Sequence, residues 1–188
     1  MSKIGKKPIV IPEGIEVKIT DGVLEFSAKG KKDVLKVNML PNVEVKNEEG
    51  KLVFSIKNDK NIQTRANWGT IRALAQNAIV GLMEGYKKIL DLQGVGFRAT
   101  MEGKTLVLNI GFSHPIKVNI PEGLLVSVEK NTAVTISGID KGLVGEVAAK
   151  IRAMKKPNPY LGTGIRYRDE VIKKKAGKKA AAAAGGAA

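Results

Sequence analysis

The second half of this chain repeats the first, and a repeat restricts the fold more than any single motif does. Val34-Leu35-Lys36-Val37-Asn38-Met39 can be laid on Pro115-Ile116-Lys117-Val118-Asn119-Ile120 at an offset of 81 residues, and Asp21-Gly22 meets Glu102-Gly103 at the same offset. Gly69-Thr70-Ile71-Arg72-Ala73 meets Gly145-Glu146-Val147-Ala148-Ala149 at 76, so the second copy has a shorter connection ahead of its last element. The spacing of apolar residues says what each copy contains. Ile15 to Ile19 and Val43 to Lys46 alternate apolar and polar; Val23 to Phe26, Val34 to Val37 and Leu52 to Ile56 complete a set of about five short strands. Asp21-Gly22, Lys29-Gly30, Pro41-Asn42 and Glu49-Gly50 are the turn pairs between them. The period then lengthens. Ile71, Leu74, Ala75, Ala78 and Leu82 share one side of a helix expected from Asn61 to Met83 and stopped by Gly85.

The second copy follows the same plan. Strands are expected at Leu106 to Ile110, Ile116 to Ile120, Leu125 to Val128 and Val134 to Ile136, with Glu102-Gly103, His114-Pro115 and Glu122-Gly123 as punctuation. Asp140 can cap a helix whose stripe is Val144, Val147, Ala148, Ile151 and Met154. The expected fold is therefore α+β: two tandem duplicated units, each a small, mainly antiparallel sheet covered by one helix. Residues 1–82 form the first unit, 83–170 the second, and 171–188 a basic, then alanine-rich tail. The helix is required in each, because an uncovered apolar sheet face would aggregate.

Charge narrows the function. The 188 residues carry 32 Lys and Arg against 18 Asp and Glu, a net charge of +14, which favours nucleic acid or an anionic surface as partner. There is no cysteine, so disulfides, thiol catalysis and Cys-based metal sites are excluded, and a reducing, cytoplasmic setting is expected. No apolar run approaches the roughly 20 residues of a membrane span. The N-terminus shows no cleavage pattern of a signal peptide. Acidic residues are scattered along the strands, no pair of them suggests general acid/base work, and nothing gathers a metal, a cofactor or a small-molecule substrate. His114, the one histidine, has no nucleophile or orienting acid near it in sequence and reads as a turn residue or a partner contact. Gly94-Val95-Gly96-Phe97-Arg98-Ala99 has the form of a dinucleotide loop, but a strand follows it instead of a helix N-terminus. It reads as a glycine-loosened strand or bulge, with Arg98 able to touch a phosphate backbone. Trp68 opens the first helical stripe and reads as core or inter-unit packing.

The charge is concentrated at one end. From Lys150 to Lys179 there are eleven Lys and Arg against Asp169 and Glu170, nine of the fourteen net charges in thirty residues. Pro157 and Pro159 end the second helix, and Gly162 and Gly164 permit close backbone approach. Ile165-Arg166-Tyr167-Arg168 alternates, so an extended chain shows both arginines on one face and the ring on the other. Arginines suit phosphate, and tyrosines offer stacking or packing surfaces. The segment after Lys156 is expected to lie outside both cores, adding at most a strand at a sheet edge. The alanine-rich stretch after Lys179 is low-complexity and is expected to be disordered.

PNPYLGTGIRYRDEVIKKKAGK, with SKIGKKPI, GVGFRA and IGFSHPI, resembles the bacterial large-subunit ribosomal protein number six family from about Ser2 to Lys179. The resemblance implies two duplicated α+β units, no catalysis, and a structural place on 23S rRNA beside the factor-binding region near the sarcin–ricin loop. Its implied partners are 23S rRNA, neighbouring large-subunit proteins and translation factors. Carried onto this chain, the rRNA contacts fall on Lys155, Lys156, Tyr160, Gly162, Gly164, Arg166, Arg168, Lys173, Lys174 and Lys175, with Arg98 as the additional candidate from the residues themselves. A free-standing RNA chaperone or regulator is the alternative. The alanine-rich end is no part of the family pattern.

Overall fold

Alternating apolar residues build most of the strands. The computed structural model describes residues 4–20, 22–30, 34–48, 50–56 and 61–177. Asp21, Glu49, Lys3 and the chain from Lys178 onward lie outside them, and with them parts of two turn pairs and the alanine-rich end. In the first unit, β1 (Ile9–Val10), β2 (Ile15–Thr20), β3 (Val23–Ala28), β4 (Val34–Asn38), β5 (Val43–Glu48) and β6 (Lys51–Ile56) precede α1 (Ile62–Met83). They form two sheets, β2-β3-β4 and β1-β6-β5, with antiparallel pairing throughout. The sequence reading expects one sheet per unit; the meander and the hairpin that captures β1 remain separate. Leu24 and Phe26 from β3, with Leu52 and Phe54 from β6, turn inward. Trp68, Ile71, Ala75, Ala78, Ile79 and Leu82 of α1 meet them in one buried cluster.

The ends of α1 are built as the sequence proposes. Asn61 is the cap, its side-chain oxygen accepting the Gln63 N–H at 2.9 Å. At the other end Gly85 turns to φ 73° and gives its N–H to the Gly81 carbonyl at 3.1 Å, a left-handed position that glycine takes without strain.

The second unit contains β7 (Tyr86–Gln93), β8 (Arg98–Glu102), β9 (Thr105–Asn109), β10 (Ile116–Asn119), β11 (Leu124–Glu129), β12 (Ala133–Gly138), α2 (Lys141–Met154) and β13 (Gly164–Tyr167). The sheets are β8-β9-β10 and β11-β12-β7-β13. Apart from β13, the strand order repeats that of the first unit, and the two helical stripes fall in the register that the 76-residue offset requires. Ile71 and Val147 are both buried, as are Ala75 and Ile151. Tertiary contacts divide the chain after Tyr86, with Ile139–Lys141 joining the first unit. Three strands escape sequence reading, β1, β7 and β8. Of these, β7 begins Tyr-Lys-Lys, and its alternation is confined to Leu90-Asp91-Leu92. No described helix is long and apolar enough to cross a membrane.

Val147 is 6% exposed on α2. Val147→Asp should cost about 3–5 kcal/mol, the scale of an uncompensated buried charge. Ala149→Asp, on the exposed side of the same helix, should cost under about 0.5 kcal/mol. Urea unfolding of the two variants checks the face; equal losses would overturn it.

Candidate nucleic-acid interface

The polypeptide beyond α2 folds around one asparagine. The Asn158 N–H donates to the Thr163 carbonyl at 2.8 Å, and its own carbonyl accepts the Gly162 N–H at 2.8 Å. Its side-chain oxygen accepts the Tyr160 N–H, also at 2.8 Å. This Asx turn, set between two prolines, closes the loop on itself and leaves Tyr160 and Leu161 exposed at its tip. Gly162 sits in the loop at φ 78°.

Gly164 then brings the strand back. At φ 138°, a β-carbon there would stand 2.6 Å from the Pro157 α-carbon and 2.7 Å from the Lys156 carbonyl oxygen. The close approach this glycine permits is to its own chain.

β13 pairs antiparallel with β7, Ile165 opposite Leu92, Arg166 opposite Asp91 and Tyr167 opposite Leu90. Ile165 is fully buried. The expectation that the segment after Lys156 lies outside the core is thereby corrected: a cut there removes a core side chain. Burying Ile165 stabilises the unit by about 1.5–3 kcal/mol.

The two arginines at the end of β13 differ in their partners. Arg168 bonds Asp91 at 3.2 Å, while the Nε of Arg166 is buried without a partner. Tyr167 is flanked by Lys88 and Arg152, their charged groups 5.6 and 5.7 Å from the ring centre.

The chain then doubles back through Glu170. Its carboxylate takes both arms of Arg152, one at 2.8 Å, and accepts the Tyr167 N–H at 3.2 Å. The bonds from Arg152 hold the Glu170 carboxyl below its ordinary value of 4.5, against the opposing effect of burial. The same bonds raise Arg152. Further on, the Lys175 N–H reaches the Pro159 carbonyl at 3.0 Å and lays the tail beside the Asn158 loop. Lys156, Lys173, Lys174 and Lys175 point to solvent. None of the four pairs with a carboxylate among the described residues. Lys155 is half-buried, its ammonium 4.6 Å from the centre of the Phe112 ring.

The structure thus gathers ten of the eleven candidates on the segment after α2. Arg98 is elsewhere: it opens β8 in the other sheet of the unit, opposite Asn109. Residues 94–97 form the turn between β7 and β8, and Arg98 and Ala99 already belong to β8, with no helix to receive a pyrophosphate. Among the described residues no three His, Cys, Asp or Glu side chains gather as metal ligands. Sequence reasoning missed Arg152, Asp91 and Asn158. Only Asn158 left a local sign, an Asn-Pro pair four residues before a glycine.

Glu170→Gln should lower stability by about 1–2 kcal/mol at neutral pH, between the values for an exposed pair and a charged hydrogen bond. Because the native carboxyl is held below 4.5, the wild-type advantage is complete above the unfolded value. It shrinks as pH falls through the native one. Denaturant unfolding of both proteins from pH 7 to pH 3 should show the gap closing at the acid end; a pH-independent gap would exclude the ion pair as its source.

Comparison with known proteins bears on the two-unit fold. The family profile described as Ribosomal protein L6 matches twice, over residues 11–85 and 93–168, once in each unit. The chain is 48% identical over 177 residues to the large ribosomal subunit protein uL6 of Campylobacter jejuni, covering 94% of this chain and 97% of that one. It is 49% identical over 178 residues to that of Syntrophomonas wolfei and 51% over 177 to that of Nitratiruptor, each with the same coverage. The repeated match, one to each copy of the same strand order, places the chain in the ribosomal protein L6 family, whose members are structural and not enzymes.

Proposed function

We propose that the chain is a structural constituent of the large ribosomal subunit in the cytoplasm, binding 23S rRNA through the second unit and its basic end. The observation that carries this is the ordered segment after α2. Two of the carboxylates beside it are already taken, Glu170 by Arg152 and Asp91 by Arg168, which leaves Asp169 as the one exposed acid along it. Lys156, Lys173, Lys174 and Lys175 are left facing solvent. A segment so arranged is electrostatically unfinished, and a phosphate backbone completes it. Tyr160 at the loop tip and Arg166 and Arg168 on one face of β13 extend the surface; Lys155 joins it from the end of α2. Family membership supports the placement beside the factor-binding region, near the sarcin–ricin loop. The first unit then faces solvent, neighbouring subunit proteins or translation factors.

Two of the candidates act through the fold. Gly164 allows the crossing over Pro157 and Gly162 the loop turn, so their substitution would disturb binding by moving the segment.

The test is filter binding to 23S rRNA fragments across a salt series. Replacing Lys173, Lys174 and Lys175 by Ala should weaken binding and make the logarithmic salt slope shallower by about two, for three lost phosphate contacts. Circular dichroism should not change, since all three are exposed. Equal affinity and slope would move the site to Arg98 and the Gly94 turn. Retention on the 50S particle through a high-salt wash separates a resident protein from a transient RNA chaperone or regulator.

A further inference from the structure

Besides Tyr160, the second unit leaves a phenylalanine ring outside. Phe112 is 47% exposed in the loop between β9 and β10. Its counterpart across the unit, Phe97, is drawn in. A β-carbon on Gly94 would stand 2.8 Å from the Phe97 ring, and one on Gly111 3.3 Å. The two glycine-containing turns therefore close on Phe97, which fixes the loop that carries Phe112. Lys155, coming from the end of α2, lays its ammonium 4.6 Å from the centre of the exposed ring. Nothing in the fold needs that ring exposed. Covering it inside would have stabilised the unit, as every large side chain of the core does.

We infer that Phe112 and Lys155 together form a stacking site for an unpaired RNA base, the ring taking the base and the ammonium its phosphate. This rests on the rRNA-binding reading above and extends the surface from the basic tail to the Phe97 turn. The immediate surroundings favour a nucleotide over a protein side chain. A cation already lies against the ring, and Gly111, Ser113, His114 and Pro115 around it are exposed and carry no acid. Bases stack on exposed aromatic rings beside basic groups irrespective of their identity, whereas a protein anchor needs a dry apolar rim. Val95, fully exposed at the tip of the neighbouring turn, offers a second apolar edge against which a splayed nucleotide can rest.

Substitutions at Phe112 separate stacking from charge. Phe112→Ala and Phe112→Leu should each weaken binding to a 23S rRNA fragment containing the sarcin–ricin region by roughly 5- to 150-fold. The salt slope should stay unchanged, because no phosphate contact is lost. Phe112→Trp should keep the affinity, and its indole fluorescence should be quenched and shielded from acrylamide when RNA is added. Trp68 gives a constant background, being 6% exposed and bonded to the Phe54 carbonyl at 2.9 Å. Full affinity in Phe112→Leu would mean an apolar contact without stacking and would overturn the inference. Unchanged affinity in Phe112→Ala, or poor incorporation into the subunit without loss of RNA affinity, would do the same, the latter assigning the ring to a protein neighbour. If the wild-type chain fails to bind the fragments, the rRNA reading falls and this site with it. If the wild type binds and the variants match it, only the stacking site falls.

Discussion

Sheets of three or four short strands cannot hide their apolar faces by themselves, so each unit depends on a single helix laid against them. The dependence explains why the apolar stripe survives so well between the copies. Ile71 and Val147 occupy the same register, as do Ala75 and Ile151, and all four are buried. Where residues differ, volume moves along the stripe. Trp68 stands where Val144 stands in the other unit and Ala75 where Ile151 does: a large and a small side chain answer two of middle size. Cores tolerate such exchanges when total volume is kept, and resist any single change that breaks the balance.

The copies part at their ends, and function enters there. In the second unit β13 adds a fourth strand beside β7. In the first, β1 is the edge of its sheet, and the N-terminal segment instead lies on the helix: a β-carbon on Gly5 would be 2.5 Å from the Trp68 ring. An added strand brings backbone pairing and a core side chain, Ile165. A segment with nine net positive charges in thirty residues repels itself. Pairing with β7 and the closure at Asn158 hold it in one conformation despite that repulsion.

What could be read from the sequence was whatever is local. Period-2 runs mark five strands of the first unit, and the helices follow from their stripes, down to Asn61 and Gly85 at the ends of α1. The duplication was legible because equal spacing is itself a sequence property. β7 was not, since only Leu90 and Leu92 alternate and Lys87-Lys88 makes its start look like a solvated boundary. The candidate residues came from the family resemblance, Arg98 alone from the residues themselves, and the partners within the fold were hidden by distance. Glu170 meets Arg152 across 18 residues and Arg168 meets Asp91 across 77. Gly164 announced a close approach without saying to what; only the fold shows Pro157 beneath it.

Those distant pairs change how the charge of the segment should be understood. Two arginines, 152 and 168, pair with two carboxylates, Glu170 and Asp91, and those pairs hold β13 and the returning chain in place. The charge of Arg152 in particular is spent largely inside the protein. The lysines behave differently: 156, 173, 174 and 175 are exposed and carry most of what a polyanion can feel. Arginine suits the first task because its planar fork grips a carboxylate in two places, and lysine suits the second as a mobile point charge. Salt acts unequally on the two sets. Exposed charges are screened over roughly 8 Å at physiological ionic strength, whereas the half-buried Arg152–Glu170 pair is sheltered from much of that screening. Rising salt therefore weakens the lysine contacts before it loosens the arginine frame, and the segment can lose a polyanion while keeping its shape.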